Sequence, residues 1–374
     1  MTRQMALRRS AFDRIQSFSD TGSTHHPGIP MDFSTGLTSG RYLHHWLEKM
    51  AQSGASNAEL FAGTGLQPTQ LEQHAPWLTQ QQVERLFANA YALTGNAWLG
   101  LEFGMNLNFA AHGPLGFAGL TARTIEESQQ QMVRFSPLVT GLVKLETHKD
   151  NRQQLSLVTV TAQPGVAQVA ARSLIQTVLC SIYVMTRFLL GNDADIHLFW
   201  RCDEDDHMRL AFAHNSHTHL HFNADQDALA IALPLLETPV ILADEQARQQ
   251  ALSMCEADMR ALEKQTLLSH RIYARLLESG DNMPGIEELA GEYHLSTRTV
   301  HRRLQDEGTC FRDLTSAARM TLARDYLLRE RLTVTEVAHR LGYGDSANFT
   351  RAFKRAEGVT PTEYVRLHDA ENAG

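Results

Sequence analysis

Apolar positions along the chain change period twice, and each change marks a different kind of element. From about Leu37 to Met105 the spacing is helical. Arg41 to Met50 begins one helix, and Gln80 to Leu93 predicts another with Val83, Leu86, Phe87 and Ala90 on one face. Between them, Asn57 to Leu71 carries short pieces broken at Gly63, Gly65 and Pro68. His112 to Phe117 is an apolar segment punctuated by glycine and proline. Thr124 then starts a helix running to about Phe135, with Glu126 and Glu127 at the positive end of its dipole.

Period two follows. Leu142, Leu145, Leu155, Leu157 and Val160 frame a polar turn at Lys149 to Arg152, which predicts a hairpin. Gly165 to Leu190 is apolar nearly all round, the pattern of a helix buried in a sizeable core. No run of about 18 purely apolar residues marks a membrane span, and Arg172 and Arg187 inside this helix speak against one. Short strands are predicted at Ile196 to Trp200, Leu210 to Ala213, His219 to Phe222 and Leu229 to Leu233. Asp244 to Glu278 reads as one long helix or two, a connector or a dimerisation element.

The last part of the chain returns to short helices. Thr335 to Leu341 predicts one, with Val337, Ala338 and Leu341 on one face. Gly342 stands where a left-handed residue ends a helix cheaply. Asp345 or Ser346 can cap the next helix, whose Phe349 and Phe353 point inward four residues apart. Gly358 stops that helix. Thr360-Pro361-Thr362-Glu363 is a capping box with proline at the first helical position. Ile286 to Gly308 repeats the plan 48 to 50 residues earlier: Leu289-Ala290 matches Val337-Ala338, Val300 and Leu304 match the phenylalanines, and Arg302 falls on Arg351. A continuous helical pattern, Phe311 to Glu330, joins the copies. At 1.5 Å per residue it is about 30 Å long. Adjacent major-groove faces on one side of a duplex lie about 34 Å apart. Two helix-turn-helix units on one chain can therefore enter successive grooves.

Charge alters this picture only locally. The chain carries 42 Asp and Glu against 34 Lys and Arg, a net of −8, which is unlike a simple DNA-binding protein. From Pro284 to Arg366, however, 13 Lys and Arg meet 12 Asp and Glu, so the acidity lies upstream. Nearly all of that positive charge is arginine, suited to bidentate contacts. Four scattered cysteines offer neither a disulfide framework nor a zinc ribbon and suit a reducing cytoplasm. The first 32 residues, with Arg3, Arg8, Arg9 and Arg14 but no apolar run, read as a flexible tail.

The paired units, the joining helix and the ending F-x-x-x-F-K-x-x-x-G-x-T-P-x-x-Y, Phe349 to Tyr364, resemble the AraC/XylS family of bacterial transcription regulators. Gly344 stands where many relatives place a larger polar residue. Gly113 to Phe135 resembles the sensor domain of one branch of that family, too helical for a compact cupin barrel. The resemblance implies an α+β N-terminal sensor domain followed by an all-α C-terminal domain, in a bacterial cytoplasmic, nucleoid-associated homodimer. Its partners would be promoter DNA, a small organic effector and RNA polymerase. The divisions are a tail at 1–32, a regulatory domain at 33–240, a helical linker at 241–282 and a DNA-binding domain at 283–368. Carried over by position, Arg298, His301 and Arg302 of the first unit and Ser346, Asn348, Thr350 and Arg351 of the second face bases. Arginine suits guanine and asparagine suits adenine. Arg303, Lys354 and Arg355 are placed as phosphate contacts.

Within the sensor half, His112, Arg134, Arg172, Arg187 and Trp200 lie in apolar surroundings and are candidates to anchor an effector. His214, His217, His219 and His221 invite a metal reading, the last three sharing one face of a strand; His207 and Asp225 are near in sequence, but surface or satisfied histidines are the preferred reading and no metal site is assigned. No phosphate loop or nucleophile elbow occurs, and neither catalytic residues nor a cofactor are assigned. An enzyme-like N-terminal half under a DNA-binding control module, or a ligand-independent repressor, remain the alternatives to an effector-responsive activator.

Overall fold

The structure, a computed structural model, describes residues 37–53, 55–66 and 77–372. The expected tail at 1–32 and the break at Pro68 lie outside the described residues. The chain forms two compact units. Among described residues the first takes in 37–162 and 167–259, and the second 163–166 and 260–372.

In the first unit β1 (Thr38–Ser39) pairs antiparallel with β2 (Trp77–Leu78). Helices α1 (Arg41–Gln52), α2 (Asn57–Leu60), α3 (Gln80–Thr94), α4 (Leu99–Gly104), α5 (Pro114–Leu120) and α6 (Ile125–Arg134) precede the main sheet. Local chemistry sets their ends. Thr79 and Gln82 form a capping box at the start of α3, and Gly95 closes it in the left-handed region. Thr124 accepts from the Glu127 amide at the start of α6.

The hairpin β3 (Val143–Asp150) and β4 (Leu155–Ala162) opens a five-stranded sheet. Helix α7 (Gln168–Leu190) follows, then β5 (Ile196–Phe199), helix α8 (Asp206–Phe212), β6 (Thr218–His221) and β7 (Ala228–Ala232). The strand order is β3-β4-β7-β5-β6, antiparallel except for the β5–β6 pair. Central β7 is fully buried from Ala228 to Ile231.

Helix α7 packs on β4, α3 and α4. Its approach to α4 is close because α4 presents Gly100 and Gly104. A Cβ at Gly100 would lie 2.2 Å from the Ser173 carbonyl oxygen, and one at Gly104 2.4 Å from that of Thr177. Among the described residues α7 is long and apolar enough, by length and composition, to cross a membrane, which the sequence reading did not grant it. Of its most apolar 18-residue window, 61% is buried inside the fold.

One predicted strand is a helix. Leu210 to Phe212 belongs to α8 and Ala213 caps its end, because Asp205 accepts hydrogen bonds from the amides of His207 (2.8 Å) and Met208 (3.2 Å) and starts a helical turn. Met208 and Phe212, four apart, are the buried pair, while Leu210 is 74% exposed. The apparent alternation of Leu210 and Phe212 is thus a helix seen from two sides.

Asp244 to Glu278 resolves into two helices, α9 (Glu245–Gln265) and α10 (Leu268–Glu278). The second unit continues with α11 (Ile286–Glu292), α12 (Thr297–Asp306), α13 (Phe311–Leu328), α14 (Val334–Arg340), α15 (Ser346–Glu357) and α16 (Pro361–Asn372). Leu289, Val300, Leu304, Leu314, Val337, Phe349 and Phe353 are all fully buried and form its interior.

Candidate nucleic-acid interface and effector cavity

Each copy in the second unit is a short helix, a left-handed turn and a second helix. In the first, His294 takes φ +52° and the Leu295 amide returns to the Ala290 carbonyl at 2.8 Å. In the second, Gly342 takes φ +73° and the Tyr343 amide returns to Ala338 at 2.9 Å. Ser296 caps α12 by accepting from the Thr299 amide at 3.2 Å, and Asp345 caps α15 by accepting from the Asn348 amide at 2.6 Å. Val300 and Leu304 hold α12 down. Phe349 and Phe353 hold α15, packed edge-on against Tyr343 (5.5 Å between centroids) and Tyr364 (5.4 Å) respectively.

These anchors fix which faces look outward. Arg298, His301, Arg302 and Arg303 of α12 are exposed, as are Asn348, Arg351, Lys354 and Arg355 of α15. Ser346 and Thr350 are half-buried, and the Thr350 hydroxyl donates to the Ser346 carbonyl at 2.8 Å. Arginines elsewhere in this unit are engaged: Arg275 with Glu292 (2.9 Å), Arg324 with Glu357 (3.4 Å), Arg340 with Glu330 (2.7 Å). The outward arginines of α12 form no ion pair among the described residues. Arg351 donates to the Asn348 side-chain oxygen, and the Asn348 amide nitrogen donates to Asp345 at 2.8 Å. Among the described residues the outward arginines of the reader helices are therefore without an ion pair or held by a neutral amide, the state in which they can make phosphate or base contacts.

The first unit encloses a cavity of about 110 Å³ among α1, α3, α6, α7 and β3. Leu43, Trp46, Phe87, Phe103, Leu174 and Val178 make much of its wall. At one edge lies a polar chain. His112 Nδ1 is 2.8 Å from the Tyr42 hydroxyl, His112 Nε2 is 2.9 Å from Ser181 Oγ, and Ser181 Oγ donates to the Leu107 carbonyl at 3.3 Å. With the Ser181 proton spent on Leu107, Ser181 accepts from His112 Nε2–H, and Nδ1 accepts the Tyr42 proton. Burial, reinforced by the Arg41 charge, pushes the His112 imidazole down to about 4, so it is neutral at pH 7. Burial pushes the Tyr42 phenol up. Gly113 permits the arrangement: its φ is +56°, and a Cβ there would collide with the Arg41 guanidinium.

Of the five predicted effector anchors the cavity takes only His112. Arg134 bonds Glu256 at 3.2 Å. Arg172 stacks over Trp98 at 5.3 Å. Arg187 closes the end of α7, donating to the carbonyls of Gly191 (3.1 Å), Ala194 (2.6 Å) and His217 (3.2 Å). Trp200 is buried away from the cavity lining. Sequence reasoning missed Tyr42, Trp46 and Ser181. Ser181 carried a signal, as a polar residue in the middle of an otherwise apolar helix.

The histidines cluster at the far edge of the sheet. His217 and His219 share Asp195 at 3.0 and 2.9 Å, and His197 bonds His221 at 3.0 Å. A carboxylate is thus present beside them, brought from a distance of over twenty residues in sequence. Burial and the neighbouring imidazoles push His197 and His221 below the usual histidine range. Among the described residues no group of three His, Cys, Asp or Glu side chains is placed to hold a metal ion.

Two copies of one helical reader, with outward arginines free of acidic partners, define a helix-turn-helix protein. Residues 54–240 match the N-terminal arabinose-binding domain of AraC transcription regulators, and residues 289–367 match a helix-turn-helix domain. The chain belongs to the AraC family of DNA-binding transcription regulators. It is 29% identical to the ornithine utilization regulator of Pseudomonas aeruginosa over 90% of this chain and 98% of that protein. It is 27% identical to an uncharacterized HTH-type transcriptional regulator of Mycobacterium tuberculosis, over 84% and 92% respectively. The crystal structure of the transcriptional regulator CdpR from Pseudomonas aeruginosa aligns with 91% of this chain and 99% of its own, at 21% identity and a TM-score of 0.44.

Proposed function

We propose that this chain is an effector-responsive transcription activator whose two reader helices enter successive major grooves of promoter DNA. Arg298, His301, Arg302, Ser346, Asn348, Thr350 and Arg351 would face bases, with Arg303, Lys354 and Arg355 on phosphates. The observation that carries this reading is the contrast between arginines among the described residues: Arg275, Arg324 and Arg340 of the scaffold pair with carboxylates, whereas the outward arginines of α12 and α15 have no ion pair. Helix α13, with 18 residues, sets the spacing of the copies; at 1.5 Å per residue it spans about 27 Å. The cavity beside His112 is the effector site, in a regulatory domain spanning 33–240, joined by a linker at 241–282 to the reader domain at 283–368. A small molecule there shifts the population between restrained and DNA-competent forms. Family resemblance further supports a cytoplasmic homodimer that contacts RNA polymerase.

The test uses the full chain and DNA recovered from a randomised duplex library by binding to it. The combined variant Arg302→Ala, Arg351→Ala is expected to weaken binding by at least about tenfold in fluorescence anisotropy at fixed salt. Unchanged affinity would refute the reader assignment.

A further inference from the structure

A sensing role does not by itself set the chemistry of the molecule sensed; the cavity walls do. Among the described residues no Asp, Glu, Lys or Arg lines the cavity. Its marginal hydroxyls already have partners. Thr38 and Thr140 bond each other at 2.7 Å, the Ser136 hydroxyl donates to the Val133 carbonyl at 2.9 Å, and the Thr177 hydroxyl donates to the Ser173 carbonyl at 2.8 Å. The Tyr42–His112–Ser181 chain satisfies itself, ending on a backbone carbonyl. An ammonium or carboxylate entering here would lose its hydration with no charged side chain on the lining to pair with, and a sugar would strand several hydroxyls. One lining residue carries a buried polar atom without a partner among the described residues: Trp46, through its Nε1–H, on a side chain only 5% exposed. A buried indole N–H normally has an acceptor. The volume bounds the size: a dry apolar cavity of about 150 Å³ holds benzene, and this one, at about 110 Å³ and partly open, is somewhat smaller.

We infer that this cavity takes a neutral, mostly apolar molecule, about one aromatic ring or a short branched chain in size, carrying a single hydrogen-bond acceptor for Trp46. The inference rests on the proposed sensing role only in calling that molecule the effector. The acceptor sets orientation, and the surrounding Leu43, Phe87, Phe103, Leu174 and Val178 supply the affinity.

Four probes test this on the full-length chain by calorimetry and thermal unfolding: acetophenone (a ring with one carbonyl), ethylbenzene, L-ornithine and L-arabinose. Acetophenone is expected to bind saturably at one site and raise Tm, with ethylbenzene severalfold weaker and the other two silent. Trp46→Phe should bring acetophenone down to the affinity of ethylbenzene. Val178→Phe should fill the space and abolish both; if that variant does not fold, the Trp46→Phe comparison decides. Saturable binding of ornithine or arabinose that Trp46→Phe or Val178→Phe removes would overturn the inference while leaving the sensing role standing. Absence of binding by both apolar probes would also overturn it. Apolar binding that leaves DNA affinity unchanged would uphold the cavity chemistry and refute the sensing role.

Discussion

In the first reader copy the residue that turns the chain left-handed is His294; in the second it is Gly342. Similar contrasts run through both copies. Helix α11 starts at Gly285 with no side-chain cap, whereas Thr333 and Glu336 form a capping box on α14. Aliphatic Val300 and Leu304 seat α12, whereas a chain of four rings, Tyr343 to Phe349 to Phe353 to Tyr364, seats α15. Outward, the first copy presents arginines with no ion pair among the described residues, and the second presents an arginine tethered through Asn348 to its own N-cap. The same backbone plan is thus met by two solutions. One is less well fixed; the other is held at every corner and partly pre-arranged for polar contact.

The sharpest way to break this comparison is to empty each interior. Phe353→Ala is expected to destabilise the second copy by about 3–5 kcal/mol, and Leu304→Ala the first by about 2–5 kcal/mol. Residue-resolved hydrogen exchange should show each loss confined to its own copy; a global loss from either variant would mean the copies are not separately held. Next in size is DNA affinity. Arg302→Ala and Arg351→Ala singly should each weaken binding by roughly 1–3 kcal/mol in a gel-shift titration. Asn348→Ala should also weaken the second copy's contact, since it cuts the tether to Arg351; wild-type affinity in that variant would show that the tether has no bearing on recognition.

A swap of turn residues is expected to be smaller. His294→Gly should stabilise by about 1 kcal/mol and Gly342→His should cost a similar amount, because the left-handed region penalises a Cβ. A Cβ at Gly342 meets nothing within 4 Å, so its cost is one of backbone conformation alone. Equal urea midpoints for these variants and the wild type would contradict that account. Acid should give the mildest effect. Hydrogen bonds from Thr333 and Thr360 hold the Glu336 and Glu363 carboxyls below the usual range. A depressed carboxyl contributes above its unfolded value of 4.5 and is lost as pH falls through the folded value. Below about pH 4.5, α14 and α16 should therefore fray, while the Ser296 hydroxyl cap on α12 does not titrate. Amide exchange followed from pH 6 to pH 3 would expose any fraying of α12 in step with α14.

Much of the second unit was legible because its signals are local and agree. Gly342, Asp345, Gly358 and the Thr360–Glu363 box each act within four residues of where they stand. Even the small miss there, a helix starting at Val334 and not Thr335, follows from an overlooked Thr333–Glu336 box of the same kind. The first unit read less well. Leu210 and Phe212 mimicked a strand because four residues of alternation fit both periods, and the decisive cap at Asp205 lay upstream. Of the five sensor residues chosen for being charged or aromatic in apolar surroundings, His112 reached the cavity lining. Arg134 and Arg187 found carboxylate or carbonyl partners that no spacing announces.

The amino-acid order alone determined most helix ends of the second unit, that one reader plan occurs twice, and the outward placing of the arginines of each copy, since those depend on neighbours within a turn or two. Only tertiary packing decided that Tyr42, His112 and Ser181 form a closed polar chain at the edge of an uncharged cavity. Those three residues are separated by about 70 positions at each step. The neutrality of His112 is secured by burial, which is a property of the assembled unit and not of any segment within it.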